Sequence, residues 1–449
     1  MRIVVRMPCR TVATNEPETS MPPRPTRDDA PPPLDAVAAL RDTCGSLPVG
    51  LASAPGRVNL LGEHVDHRGG VVLPFAIDRR VAVAAAISSD GRTRIVADDL
   101  GRIWTGDGPP PRSRIDDPDH DFVNHVVGML ASLPALAAVD LPPLSIAIAG
   151  DLPIGAGVSS SAALEVATGL AVSQALGLDP PDAQTLAHAA RRAEHDFVGT
   201  PCGIMDMLAS AAGCAGRILR IDCETLSIST LPAPDPTRAV FAVLDSGVRH
   251  RLADGGYAAR LAALDRVERL IDRPLRDASL DELDAADLDP ADRARARHVV
   301  TEVARVRDAE AALRDGDLDR LGRLLFEGHA SLRDDFAVSV SEIDAIVDAA
   351  RDRRGDGVLG ARMIGGGFGG VVLLLVDRSA APRVLRSIVD ELGATTGRRP
   401  EPVVVAPSDG ARIESTDVHG VSYPRGRPET PPASDGEPDR DPGTGDARR

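Results

Sequence analysis

A chain of 449 residues, 43% hydrophobic and 26% charged, has the composition of a globular protein and the length for two or three domains. No apolar run approaches the roughly 18–20 residues that cross a bilayer, and a formal net charge of −16 repels phosphate backbones and anionic membranes, so neither a membrane nor a nucleic-acid partner is expected. All 51 basic residues are arginines, which removes the lysine-bearing phosphate loop and the strand lysine of protein kinases.

Residues 1–33 are rich in proline, threonine and charge without a periodic apolar face and read as a disordered tail, with Met21 as an alternative start. The N-terminus has no apolar stretch of secretory-signal length, and five cysteines without metal-ligand spacing read as reduced thiols, so a cytoplasmic location is expected. Runs of β-branched residues and alanine predict strands over 81–87, 94–97, 145–149 and 217–222. Ala163, Val166, Ala167, Leu170 and Ala171 fall at helical spacing and predict a helix over 161–176, and a second follows over 182–196. The breaker-rich 231–236 marks a boundary between domains 34–236 and 237–414. Beyond it the pattern predicts a strand over 239–244, charged helices over 256–271, 291–314 and 341–353, a glycine loop and strand over 365–376, and a helix over 381–392. Residues 415–449 read as a second disordered tail.

Four stretches concentrate chemistry. DLPIGAGVSSSAAL (151–164) follows a strand and opens a helix: Gly155 and Gly157 let amides turn inward, Ser159, Ser160 and Ser161 add hydroxyls, and the helix N-terminus adds partial positive charge. An anion site and a serine-capped structural turn both fit. GRVNLLGEHVDHRGG (56–70) gathers Arg57, Asn59, Glu63, His64, Asp66, His67 and Arg68 in a glycine-rich loop, which suits either a polyhydroxylated ligand or a solvated loop with local ion pairs. EHDFVGTPCGIMD (194–206) sets Glu194 and Asp206 on either side of a Gly/Pro turn, where one can serve a metal and the other a proton. RMIGGGFGG (362–370) gives the backbone around Phe368 unusual freedom, for a ligand mouth or for close packing of two domains.

Together and in this order, these stretches resemble the GHMP kinases, with 56–70 most similar to the sugar-binding segment of the galactokinases among them. AEHDFVGTPCGIMD, DSGVRHRLADGGYAAR and SLRDDFAVSVSEID extend the resemblance, which covers about 51–405. It implies an α+β, two-domain fold, with an N-terminal domain like the second domain of ribosomal protein S5, a ferredoxin-like C-terminal domain and an active site in the cleft between them. The implied reaction is transfer of the γ-phosphoryl group of ATP to the anomeric hydroxyl of galactose, with Mg²⁺. Residue by residue, the family's sugar contacts fall on Arg57, Glu63, His64, Asp66, Gly203, Asp206 and Tyr257, with Asp206 and Arg57 as the catalytic pair. The nucleotide phosphates fall on Gly155, Ala156, Gly157, Val158, Ser159, Ser160 and Ser161, Mg²⁺ on Ser161 and Glu194, and the adenine beside Phe122, which stands in for a tryptophan. Val65, His67 and Met207 depart from the threonine, tyrosine and glutamine usual in galactokinases. Competing readings are a kinase for N-acetylgalactosamine, galacturonate or arabinose, and a sugar and ATP sensor without turnover. A monomer or weak homo-oligomer is expected.

Overall fold

The valine- and alanine-rich strand Pro74–Ile87 is buried along most of its length and lies inside a six-stranded sheet. The structure, a computed structural model, describes residues 31–152, 157–200, 202–248 and 256–416. The sheet runs Arg412–Ile413, Gly50–Asn59, Pro74–Ile87, Leu144–Gly150, Arg92–Ala97, Arg102–Asp107, with all neighbours antiparallel except Leu144–Gly150 beside Arg92–Ala97. Helix Ser160–Ala175 packs on its first strands. The approach is close because both surfaces are small: a Cβ on Gly50 would stand 1.9 Å from the Ala171 carbonyl oxygen. A smaller sheet joins Val71–Val72, Arg217–Asp222 and Ser227–Pro232.

The second half is built on strands Val358–Ile364, Val371–Asp377, Ala239–Asp245 and Val403–Val405, antiparallel throughout and in that spatial order. Numbered along the chain this is the order 2-3-1-4, the ferredoxin-like arrangement. Helices Gly256–Ile271, Pro290–Asp315, Leu318–Ser331, Ser341–Arg351 and Ala381–Thr396 belong to this half. Among the described residues, no helix is long and apolar enough to cross a membrane.

Several elements differ from expectation for physical reasons. Residues 56–70 do not form one loop, because Gly50–Asn59 is a fully buried strand whose glycines and proline hide its β character; Arg57 and Asn59 therefore project from a sheet. The helix expected over 182–196 is capped by Asp182, ends at Arg192, and continues as a π-helical turn, Ala193–Val198, that carries Glu194. Helix Pro32–Cys44 begins inside the stretch read as a tail, since Ala36, Val37, Ala39 and Leu40 supply a buried face. After Val403–Val405 the chain crosses back to the first sheet: Pro407 bridges Ile77, and Arg412–Ile413 pairs with Ser53 and Ala52. The Arg80 guanidinium anchors this return, donating to the carbonyls of Asp409 and Gly410 at 2.9 and 2.8 Å. The expected tails at 1–30 and 417–449, and Gly155 and Ala156 of the serine loop, lie outside the described residues.

Candidate active site

A bulge between Pro55 and Arg57 interrupts the regular pairing of the first strand at the residue whose side chain the site uses. The Arg57 guanidinium is buried, and its Nε and Nη2 donate to Asp206 Oδ1 and Oδ2 at 2.8 and 2.9 Å. Nη1 donates to the Gly157 carbonyl at 2.6 Å, tying the clamp to the serine loop. Asp206 stands in the first turn of helix Met205–Ala212 and also accepts from the Ser159 hydroxyl. Ser159 takes the left-handed conformation, φ 58°, just before helix Ser160–Ala175. Three separate segments thus converge on one carboxylate.

Beside the pair is a cavity of about 150 Å³ whose walls include Arg57, Glu63, His64, Asp66, Gly203, Asp206 and Tyr257, so every expected sugar contact lines one pocket. Glu63 is buried; its Oε1 accepts from the Gly365 amide at 2.8 Å, and its Oε2 from Asn59 Nδ2 at 2.9 Å and Arg362 Nη2 at 3.3 Å. Burial pushes the Glu63 carboxyl up to about 7 against the pull of Arg362 and Arg57. Asp66 is raised to about 6, by burial first and then by the Asp206 carboxylate. His64 has φ 58° and stacks on Phe336 with 4.6 Å between ring centroids. Burial holds this imidazole well below its ordinary range, so the ring is neutral, and its buried Nε2 has no partner among the described residues. An unpaired ring nitrogen in the wall of a polar pocket suits a sugar hydroxyl, which can both donate and accept. Glycine at 203 leaves Asp66 its place, because a Cβ there would stand 1.6 Å from Asp66 Oδ2. Tyr257 opens helix Gly256–Ile271 with its ring 5.7 Å from His64, and burial raises its phenol.

A second, largely apolar cavity of about 240 Å³ has Phe122, Leu100, Ile148, Leu152 and Leu164 in its wall together with His125, Ser160 and Ser161. At its polar end the Ser161 hydroxyl donates to Glu194, 3.0 and 3.2 Å from its two oxygens. Burial, then Glu165, push the Glu194 carboxyl up to about 7. Glu165 is itself fully buried, with Oε1 2.9 Å from His125 Nδ1 and Oε2 unpaired. Burial likewise holds the Glu165 carboxyl well above its ordinary range, so Glu194 and Glu165 form a buried acidic pair with His125 beside it.

Of the serine-loop residues, Val158 buries its side chain in the core and offers only backbone, its carbonyl accepting from the Arg57 amide at 3.0 Å. The departures at Val65 and Met207 are core positions, both fully buried outside the pocket walls, and His67 stands behind the pocket with its ring 6.1 Å from Tyr257. Sequence reasoning missed Arg362, Glu302, His298 and Phe336, which support the pocket from the C-terminal half. His298 and Glu302 sit four positions apart on a helix with many charged residues, and nothing in their spacing distinguishes a buried pair from a solvated one. Arg362 offered one signal, as an arginine in an otherwise apolar strand.

The sequence and the fold have known counterparts. The GHMP kinases N terminal domain matches residues 124–214 and the GHMP kinases C terminal domain 309–394, which, with the fold, makes the chain a GHMP kinase. The galactokinase galactose-binding signature matches residues 38–87. Galactokinase of Homo sapiens is 40% identical over 372 residues, covering 80% of this chain and 92% of that protein, and galactokinase of Bos taurus is 40% identical over 373. The chain belongs to the galactokinase family. The crystal structure of Lactococcus lactis galactokinase complexed with galactose matches with a TM-score of 0.76 at 27% identity, covering 84% of this chain and 97% of that one. Methanococcus jannaschii mevalonate kinase shares the fold at a TM-score of 0.59 and 18% identity, over 81% of this chain and 99% of that one.

Proposed function

We propose that this galactokinase transfers the γ-phosphoryl group of ATP to the anomeric hydroxyl of galactose through Asp206 and Arg57, giving galactose 1-phosphate and ADP. The observation that carries the assignment is the two-point clamp of Arg57 on Asp206 in the wall of the pocket that also holds Glu63, His64 and Asp66.

The residue types suit the chemistry. Glu63, Asp66 and His64 offer acceptors to several sugar hydroxyls at once, which orients the ring and brings its anomeric hydroxyl to Asp206. Asp206 receives or directs the hydroxyl proton, and the Arg57 fork keeps its carboxylate in one plane for that role. Charge developing on the transferring group meets Arg57 and the N-terminal turn of helix Ser160–Ala175. The apolar cavity around Phe122 suits the adenine, and the serine loop from Gly155 to Ser161 the phosphates.

Ser161 and Glu194 fit Mg²⁺. They present hard oxygen donors side by side, and a buried Glu194 carboxyl whose charged form lacks stabilisation is what a cation would offset. Bound there with the nucleotide, the ion would neutralise phosphate charge.

ADP release with galactose, N-acetylgalactosamine, galacturonate and arabinose as acceptors tests the reading; galactose is expected to be the best, and a protein that released no ADP with it would overturn the proposal. A monomer or weak oligomer and a cytoplasmic location are the accompanying expectations, and the free thiols of Cys44, Cys202, Cys214 and Cys223 suit a reducing compartment.

A further inference from the structure

Beneath the sugar pocket, the C-terminal half grips the turn that carries Glu63. Glu302, on helix Pro290–Asp315, is fully buried, and its Oε1 accepts from the amides of Gly62 and Glu63 at 2.9 and 3.2 Å and from Arg362 Nη1 at 3.1 Å. Its Oε2 accepts from Arg305 Nε at 2.7 Å. Arg362, also fully buried, spends Nη1 on the Leu60 carbonyl as well, at 3.1 Å, and Nη2 on Glu63 Oε2 at 3.3 Å. One turn before Glu302, the His298 ring contacts the Glu63 carbonyl at 3.1 Å. The backbone of residues 60–63 and the Glu63 carboxylate are therefore held from strand Val358–Ile364 and helix Pro290–Asp315 together.

A buried ion pair is a poor device for stability, because desolvation offsets most of its attraction. What it supplies here is position. Glu302 does not line the pocket, nor does Arg362. We propose that Arg362 and Glu302 are positioning residues for the sugar, acting through Glu63: they hold its carboxylate at one orientation and make the pocket depend on contact between the two halves of the protein. The inference rests on the reading of Glu63 as a sugar contact.

Saturation kinetics on Arg362→Lys, Glu302→Gln, Glu63→Gln and the Arg362→Lys/Glu63→Gln double variant test it. Arg362→Lys keeps the charge but loses the fork, and is expected to raise the galactose KM by about 10–100-fold, the loss that follows when a buried charged group goes short of a partner. The ATP KM is expected to stay within about twofold, since the nucleotide pocket shares none of these contacts. In the double variant Arg362→Lys should add little to the effect of Glu63→Gln, because a residue acting through Glu63 has nothing left to position. A normal galactose KM in Arg362→Lys, an equal rise in both KM values, or full additivity in the double variant would each overturn the inference while leaving the sugar assignment intact. An unchanged galactose KM in Glu63→Gln would overturn the sugar assignment and this inference with it. If Arg362→Lys does not fold, Glu302→Gln, of the same shape, carries the same expectations.

Discussion

Arg57 holds both oxygens of Asp206 at once, Nε on Oδ1 at 2.8 Å and Nη2 on Oδ2 at 2.9 Å, so the carboxylate cannot rotate without breaking two charge-assisted bonds. In the proposed mechanism the reacting hydroxyl consequently meets a base of fixed direction. Asp206→Ala is expected to lower turnover by about 10²–10⁴-fold while ATP binding persists, the span usual for loss of a general base. Steady-state ADP release and an equilibrium titration with ATP check it; turnover equal to wild type would remove Asp206 from the mechanism.

The same clamp makes lysine a poor replacement at position 57. A point charge can reach one carboxylate oxygen, but not both oxygens and the Gly157 carbonyl together. Arg57→Lys should therefore fold yet lose most of its turnover, about tenfold or more. Near-normal kcat in that variant would show that charge alone suffices.

Gly203 tests the sugar pocket by volume. Because a Cβ there meets Asp66 Oδ2 at 1.6 Å, Gly203→Ala must push the Asp66 side chain aside. The expected outcome is a galactose KM raised about tenfold or more with an ATP KM near wild type. Unchanged kinetics for both substrates would mean that Asp66 has no part in binding.

Glu194, the proposed metal ligand, also ties stability to pH. Its folded carboxyl titrates near 7, above its ordinary 4.5, so it stabilises the fold relative to an ordinary carboxyl below about pH 4.5, and that contribution fades as pH rises through 7. Glu194→Gln, neutral throughout, should match the wild-type melting temperature at pH 4 and exceed it by about 2–4 °C at pH 8. Magnesium with nucleotide should raise the wild-type melting temperature more at pH 8 than at pH 6, since the proton and the ion compete, and should raise the variant's less. Equal responses from the two proteins would argue against Glu194 as the metal ligand.

Helix Leu318–Ser331 reaches strand Val358–Ile364 through paired glycines: a Cβ on Gly322 would stand 2.0 Å from the Leu359 carbonyl oxygen. Gly322→Ala is expected to destabilise the protein by about 1–3 kcal/mol. Thermal melting reads this directly, and a melting temperature equal to wild type would contradict the close packing.

These glycines also explain what could be read from the chain and what could not. Helix Ser160–Ala175 was legible because Ala163, Val166, Ala167, Leu170 and Ala171 recur at helical spacing, with Gly169 the one glycine among them. Helix Leu318–Ser331 carries a similar face at Leu321, Leu324 and Leu325, but Gly322 and Gly328 weaken the local signal while serving contacts that only the folded protein reveals. The same conflict hid strand Gly50–Asn59. In the site, residues inside dense motifs, such as Arg57, Glu63 and Asp206, stood out by chemistry and order. Glu302 did not, because its importance lies in the two amides it binds some 240 positions away.

The two-residue strand Arg412–Ile413 seals the edge beside the strand that bears Arg57, and Glu414 meets Ser53 across a separation of 361 positions. As the polypeptide leaves the ribosome, that edge has to wait for the 361 positions between Ser53 and Glu414 to be synthesised, so the sheet that Gly50–Asn59 begins is closed late. Clipping the chain just after Val405 would accordingly leave the ferredoxin-like half with all its strands and yet uncover the border of the other sheet, injuring catalysis from a distance.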